Sequence, residues 1–344
     1  MNKKYIFIFC SLIVAVIILI LQNIQANRLP LINNLKEYSF IQTERQPGRN
    51  PNKYTIIATG DVILARSVNS RVVRLNNFNY PFEKTVNILK SADAVFVNLE
   101  SPLIPNCQTT DEGMKFCGDL RNARGLIYGG VSVASIANNH MGNYGLDGIN
   151  STTNLLKKNK ISVTGHGQPA ILTIRDKKFG FLGYNSIGAK EPGIAWAEIS
   201  QIQSDIYNLK KQVNFVIVAF HWGFEYTSVP SSKQKELAHA AVDAGADLII
   251  GNHPHWVQSV EQYRGKHITY SHGNFIFDQM WSNETREGVI GKYTFNSEGL
   301  INIQFIPVVI DDYSQPRPAT AAESEKILSR MKQSSRQIDP QANP

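Results

Sequence analysis

The sequence predicts an α/β fold organised in one principal domain, and three observations predict it. From residue 54 to about residue 250, short apolar runs alternate with amphipathic helical periods, the strand–helix–strand rhythm of a sheet built with right-handed crossovers. The strand-like runs are apolar on both sides, as central strands covered on both faces are. After residue 257 the pattern changes to alternating strands separated by turns, which predicts a second, partly antiparallel sheet. Composition agrees with a globular chain. The 344 residues are 42% hydrophobic and 18% charged, with 24 Gly and 15 Pro, which excludes collagen-like, coiled-coil and wholly disordered classes. That length accommodates about two domains, or one large α/β domain with extensions.

Taken in order, the chain begins with Lys3 and Lys4 ahead of an apolar run, residues 5–21 (Tyr5 to Leu21), broken only by Ser11. At 1.5 Å per residue the run spans about 25 Å, near the lower limit for crossing a bilayer. Gln22, Asn23 and Gln25 can sit at the interface, so an uncleaved membrane anchor is expected. The two lysines favour a cytoplasmic N-terminus, which puts everything after residue 27 outside. The alternative is a cleaved signal peptide ending at Ala26, with secretion of the rest. Against it stand Ile24 at the −3 position and an apolar core longer than the usual signal. Cys10 lies within the run without the small residues that precede a lipidated cysteine. Residues 28–52 carry Arg45, Pro47, Gly48, Arg49 and Pro51 and read as a linker.

Residues 53–310 form the expected domain. Its central strands are expected at 54–59 (YTIIAT), 94–98 (AVFVN), 131–137 (VSVASIA), 215–220 (FVIVAF) and 247–250 (DLII). Helices are expected at 82–91, 146–159, 198–211 and 232–244. The second sheet is expected from 258–263, 267–270 and 300–309, with 179–184 joining it. Residues 311–344 read as a weakly ordered polar tail with one helix over 321–331. Cys107 and Cys117 close a short loop that can oxidise outside the cytoplasm, worth about 2–3 kcal/mol on a loop-entropy argument; the alternative is two free thiols. Neither has the spacing of a zinc knuckle.

Ligand sites of open α/β sheets form beyond the carboxyl ends of strands. Here each central strand runs into polar residues: Gly60–Asp61, Leu99–Glu100, Asn138–Asn139–His140, His221–Trp222–Gly223 and Asn252–His253–Pro254–His255. Asp61 and Glu100 supply hard oxygens, Asn139 an amide oxygen, and His140, His221, His253 and His255 imidazoles. Without a Cys or Met ligand, this mixed N/O set suits Zn, Mn or Fe. It holds more donors than one tetrahedral ion needs, and a carboxylate can bridge two. A dinuclear site that lowers the pKa of a bridging water and supports in-line displacement is therefore expected. Each residue alone has a plainer reading: Asp61 as a helix cap, Asn138–Asn139 as a turn. His166, His239, His267 and His272 are read as ordinary hydrogen-bonded histidines.

These motifs resemble the CapA-type capsule-biosynthesis family, whose members include proteins of bacterial poly-γ-glutamate synthesis and export, and which is similar to the calcineurin-like metallophosphoesterases. The matching segments are TGDVILAR (59–66), VNLESP (97–102), ANNHMGNYG (137–145), AFHWGFEY (219–226), GADLIIGNHPHWVQSVE (245–261) and YSHGNFIFDQ (270–279). The resemblance implies a four-layer α/β/β/α sandwich with a two-metal centre at one edge. It implies Asp61 as a first-strand ligand, Glu100 as the bridging carboxylate and Asn139 as a ligand of the second metal, with His221, His253 and His255 completing the shells. His140 would stabilise the transferring group or protonate the leaving oxygen. Arg66 and Asn98 would face a substrate anion, and Glu225 would orient His221 or bind metal. The chain departs from the phosphoesterase Asp-x-His at Ile63, carries Asn143 where Asp is common, and has His272 where SLGNF is frequent.

The expected function is that of an extracytoplasmic, membrane-anchored, metal-dependent hydrolase acting on a phosphoester or polymer linkage. Two alternatives are a non-catalytic accessory subunit of a membrane synthase or exporter handling an anionic polymer, and an amide hydrolase trimming that polymer. Nucleic acid is not an expected partner. Lys plus Arg number 35 against 28 acids, a net of +7, with no basic stripe between the aromatics Trp222, Trp256 and Trp281, which read as core or a polymer-binding rim.

Overall fold

The structure, a computed structural model, describes residues 52–339. The expected anchor and nearly all of the linker lie outside the described residues. Among those described, no helix is long and apolar enough to cross a membrane.

The chain enters through β1 (Tyr54–Val62), α1 (Arg66–Leu75), α2 (Val86–Leu89) and β2 (Ala94–Leu99). A short parallel pair follows, β3 (Leu103–Ile104) and β4 (Gly118–Asp119), then α3 (Ala123–Tyr128), β5 (Val133–Ser135), α4 (Gly145–Lys158) and β6 (Ser162–Thr164). The next part comprises β7 (Ala170–Ile174), β8 (Lys177–Asn185), α5 (Ile199–Lys210), β9 (Phe215–His221), α6 (Ser232–Asp243) and β10 (Leu248–Asn252). After β11 (Val260–Tyr263) and β12 (Lys266–Thr269) come β13 (Asn274–Ile276), α7 (Asn283–Arg286), β14 (Glu287–Phe295), β15 (Leu300–Asp311), β16 (Gln315–Pro318) and α8 (Ala321–Ile338).

One sheet has the order β16–β15–β14–β1–β2–β5–β6, with β13 also pairing β1, and the other β11–β12–β10–β9–β8–β7. The run FVIVAF shows how they pack. Phe215, Ile217 and Ala219 join Tyr54, Ile56, Ala58 and Phe96 of the first sheet in one apolar cluster. The alternate residues Val216, Val218 and Phe220 join Ile202, Ile206, Leu237 and Ala241 of α5 and α6 in another. Side chains two apart share a face, so each strand has one face toward the other sheet and one toward helices. Phe96 and Phe181, stacked with centroids 5.9 Å apart, bridge the inter-sheet core.

The five central strands therefore do not share one sheet. β1, β2 and β5 are mutually parallel in the first, while β9 and β10 are parallel in the second. Nor do the alternating strands form a sheet of their own: β11 and β12 extend the second, and β14 to β16 extend the first. Segment 179–184 lies within β8, beside β9. A run apolar on both faces does not encode which sheet it joins.

The expected helix at 82–91 is replaced by a 3-10 turn at Tyr80–Phe82, with Pro81 in its first positions, and the four-residue α2. Helix α1 was not expected, because its Ser, Asn and β-branched residues are weak helix formers. Residues past 310 are not the expected loose tail. β16 pairs with β15, and α8 begins at Thr320, whose side chain accepts from Glu323 N–H in a capping box. Ile327 and Met331 of α8 pack with Val260, Val289 and Val309.

Candidate metal centre

The site forms where the carboxyl ends of β1, β2 and β5 meet those of β9 and β10. Gly60 brings β1 close to β13: a Cβ there would stand 2.2 Å from the Gly273 carbonyl oxygen, which accepts Asp61 N–H at 2.9 Å. Asp61 is fully buried. Its Oδ1 accepts from Asn98 Nδ2 at 2.8 Å and its Oδ2 from His253 N–H at 3.0 Å, a hydrogen bond that joins the two sheets. Oδ2 also lies 3.3 Å from His255 Nδ1.

Glu100 is fully buried, and neither carboxylate oxygen has a hydrogen-bond partner. Burial pushes its carboxyl well above the usual range, with Asp61 and Glu225 pushing the same way and Arg66 opposing. His221 Nε2 lies 3.7 Å from Oε1 and 2.8 Å from Asn139 Oδ1, while its Nδ1 lies 3.2 Å from Asn98 Nδ2. His253 Nδ1 is buried and also without a partner. Burial, reinforced by the neighbouring imidazoles, holds His221 and His253 well below the usual histidine range, so both are neutral, the form that ligates metal. His255 Nδ1 lies 2.9 Å from Asn274 Oδ1. His253 and His255 sit at φ 96° and 58°, and Arg66 and Tyr226 at 46° and 60°; such left-handed non-glycine residues gather at functional sites.

Three groups of ligating atoms lie within 4.8 Å of one another: Glu100, His221 and His253; Asp61, Glu100 and His255; and Glu225, His253 and His255. Leaving two carboxylate oxygens and an imidazole nitrogen buried and unpaired is costly. A bound cation removes that cost, so the residues present fit a metal. Because Glu100, His253 and His255 each belong to two groups, the donors fit more than one ion position.

His140 stands beside this cluster. Asn138 Oδ1 accepts the backbone N–H groups of His140 and Met141 at 3.3 and 2.9 Å, fixing the turn that presents the imidazole. The ring stacks on Phe116 with centroids 3.9 Å apart. Its Nδ1 lies 3.2 Å from Asn143 Oδ1, which also accepts Phe116 N–H. An amide oxygen only accepts, so Nδ1 carries the proton and Nε2 offers a lone pair. Burial lowers this imidazole to about 4.

The structure thus gathers Asp61, Glu100, Asn139, His140, His221, His253 and His255, with the exposed Glu225 at the rim. One expected substrate contact differs. Asn98 is buried, and its amide is spent on Asp61 and on Asn138, whose Nδ2 donates to its Oδ1 at 3.2 Å. Arg66 is ion-paired with Asp278. His239, His267 and His272 bond to Glu261, Thr269 and Tyr293 outside the three groups. Ile63, where Asp-x-His would put an imidazole, is buried and apolar. Trp222 belongs to the second-sheet core, whereas Trp281 is exposed and meets Tyr226 edge-on. Cys107 and Cys117 are joined as a disulfide. Sequence reasoning passed over Asn274, Asp278 and Phe116. Asn274 and Asp278 lie within the 270–279 segment, but a side chain that acts by supporting another leaves no signal of its own.

Comparison with known proteins places this geometry in context. A family model described as bacterial capsule synthesis protein PGA_cap matches residues 55–279. The capsule biosynthesis protein CapA of Bacillus anthracis is 30% identical over 80% of this chain and 71% of its own. The PGA biosynthesis protein CapA of Bacillus subtilis (strain 168) is 30% identical over 75% and 72%. Among solved structures, a phosphatase from Mycoplasma pneumoniae superposes with a TM-score of 0.51 at 16% identity, over 76% of this chain and 95% of that one, which shows a shared mixed α/β fold.

Proposed function

Because the chain belongs to the family of bacterial capsule synthesis proteins, we propose that it works in making a capsule polymer of the poly-glutamate kind, as a metal-dependent hydrolase held at the outer side of the cell membrane. The observation that carries the hydrolase reading is Glu100: a buried carboxylate with both oxygens unpaired, set among Asp61, His221, His253 and His255. The two facing sheets with outer helices support the four-layer α/β/β/α reading. The apolar run 5–21 supports an anchor, and the Cys107–Cys117 disulfide supports an oxidising compartment.

Asp61, Glu100 and His255 would hold one divalent cation, and Glu100, Asn139, His221 and His253 a second. Such ions supply Lewis acidity and a nucleophilic water at neutral pH. The protein's own groups do the rest. His140, neutral and protonated at Nδ1, takes up a proton at Nε2 and returns it to a leaving oxygen. Asn98 and Asn274 hold Asp61, His221 and His255 in place. Arg66, neutralised in part by Asp278, offers positive charge to a substrate anion. In the test, the purified chain carries close to two Mn, Zn or Fe per molecule and hydrolyses an aryl phosphate ester, while Asp61→Ala and His255→Ala lose both. Full activity in metal-free protein would remove this mechanism.

A second reading is favoured by Ile63, which denies the first ion an imidazole. On it the protein is an accessory subunit handling an anionic polymer beside a membrane synthase or exporter. Asp61→Ala and His255→Ala would then still support polymer export, and deletion of residues 5–21 would not.

A further inference from the structure

A separate set of contacts reaches His140 from outside the ligating groups. Cys107 and Cys117 are joined, and the loop they close is exposed from Gln108 to Lys115. Its end turns inward, where Phe116 and Cys117 are buried. The Phe116 ring lies nearly flat on the His140 imidazole, at 3.9 Å and 15°. Its backbone N–H donates at 2.6 Å to Asn143 Oδ1, the oxygen that engages His140 Nδ1. One residue therefore bears on the imidazole through both its face and its edge. The Arg66 guanidinium also sits over the Phe116 ring, at 4.5 Å, and donates to the loop's Gly113 carbonyl at 3.4 Å.

We propose that Phe116 is a positioning residue for His140 and that the Cys107–Cys117 disulfide holds it there, so that the orientation of the imidazole depends on the oxidised pair. An exposed segment of this kind loses backbone entropy when one end is pinned, and a cross-link lowers that cost by restricting the loop beforehand. Opening the bridge takes two electrons and two protons. A dithiol reductant supplies them and leaves as its cyclic disulfide, yielding two thiols. Phe116 then keeps its apolar contacts but loses the tether one residue away. The consequence for rate rests on the hydrolase reading above; the consequence for the ring does not.

The experiment uses the full chain in nonionic detergent, with histidine isotope-labelled for NMR and His140 assigned through His140→Gln. Oxidised protein is compared with dithiol-reduced protein, Cys107→Ser/Cys117→Ser, Phe116→Leu and Phe116→Tyr. In the oxidised protein the stacked ring shifts the His140 carbon-bound proton signals upfield. That shift is expected to vanish in the reduced protein, the double serine variant and Phe116→Leu, and to persist in Phe116→Tyr. Turnover of an aryl phosphate is expected to fall by about tenfold to a hundredfold in the same three, with KM and metal content unchanged. Phe116→Leu keeps the test open if the double variant does not fold. Signals that stay in place on reduction overturn the proposal whatever the rate does, and signals that move without a fall in turnover overturn the role in catalysis. If the oxidised protein hydrolyses nothing while the signals respond as stated, the hydrolase reading fails and the positioning stands.

Discussion

Both carboxylate oxygens of Glu100 are buried without a protein hydrogen-bond donor, and Asp61 beside it raises the cost of its charge. A cation would give these oxygens a partner of opposite charge, so metal binding should stabilise the folded chain and do so through this side chain. With free Mn or Zn at a hundred times its dissociation constant, the gain is about 2.7 kcal/mol. Glu100→Gln should abolish that gain, while in chelator it leaves the protein at least as stable as the parent, since a buried unpaired charge is gone. Urea unfolding with and without metal checks both signs; a variant that still gains stability from metal would remove Glu100 as a ligand. Asn274 acts one step further out. Its Oδ1 engages His255 Nδ1, and its Nδ2 is held by Gln279 and the Thr285 carbonyl. Such supports tune ligand affinity, so Asn274→Ala is expected to weaken metal binding by about 10- to 100-fold, read by competition with a chromophoric chelator.

At the scale of elements, much of the site was legible because strand ends are marked in sequence. An apolar run halts, and Asp61, Glu100, His221 or His253 follows. What was not legible was pairing. FVIVAF reads the same in either sheet, and only the structure shows β9 beside β8 and β10 rather than beside β2. Supporting residues were equally silent: Asn274 and Phe116 act through contacts 19 and 24 residues away in sequence, on His255 and His140. Helix α8 is a different case. A helix over 321–331 is expected within a polar tail, and the Thr320–Glu323 capping box that starts it is a sequence signal the tail's Ser, Gln and Pro obscure. Its buried Ile327 and Met331 make it part of the folded unit, anchored further by Ser335 Oγ accepting Val260 N–H at 2.8 Å. Met331→Ala should therefore cost about 2–5 kcal/mol and Thr320→Ala about 1 kcal/mol. Equilibrium denaturation distinguishes this from a loose tail, where neither change would register.

Across the whole molecule, candidate ligands from the first sheet (Asp61, Glu100) face candidate ligands from the second (His221, His253, His255), and behind them the inter-sheet core holds further imidazoles that are neutral by burial. His272, hydrogen-bonded to Tyr293 Oη at 2.8 Å, is lowered to about 4 by burial, and His267, bonded to Thr269 Oγ1 at 2.9 Å, to about 3 by burial. Unfolded, each would titrate near its ordinary value of 6.5. Between that value and the folded one the unfolded chain binds more protons, so stability is full above pH 6.5 and falls as the solution is acidified toward pH 4. For His272 the loss is roughly 3 kcal/mol at about 1.4 kcal/mol per pH unit. Glu100 acts in the opposite sense, because its raised carboxyl favours the folded state at low pH and loses that contribution as pH rises. In metal-free protein the depressed imidazoles His140, His221, His253, His267 and His272 outnumber it, so the net expectation is acid destabilisation beginning near pH 6.5. His272→Leu should flatten part of that slope while leaving the candidate ligands untouched. The measurement is the urea midpoint of chelated parent and variant at intervals from pH 7.5 to about pH 4. Parallel curves for the two proteins would mean that His272 is not neutral in the folded state, and that the inter-sheet core carries charge that burial forbids.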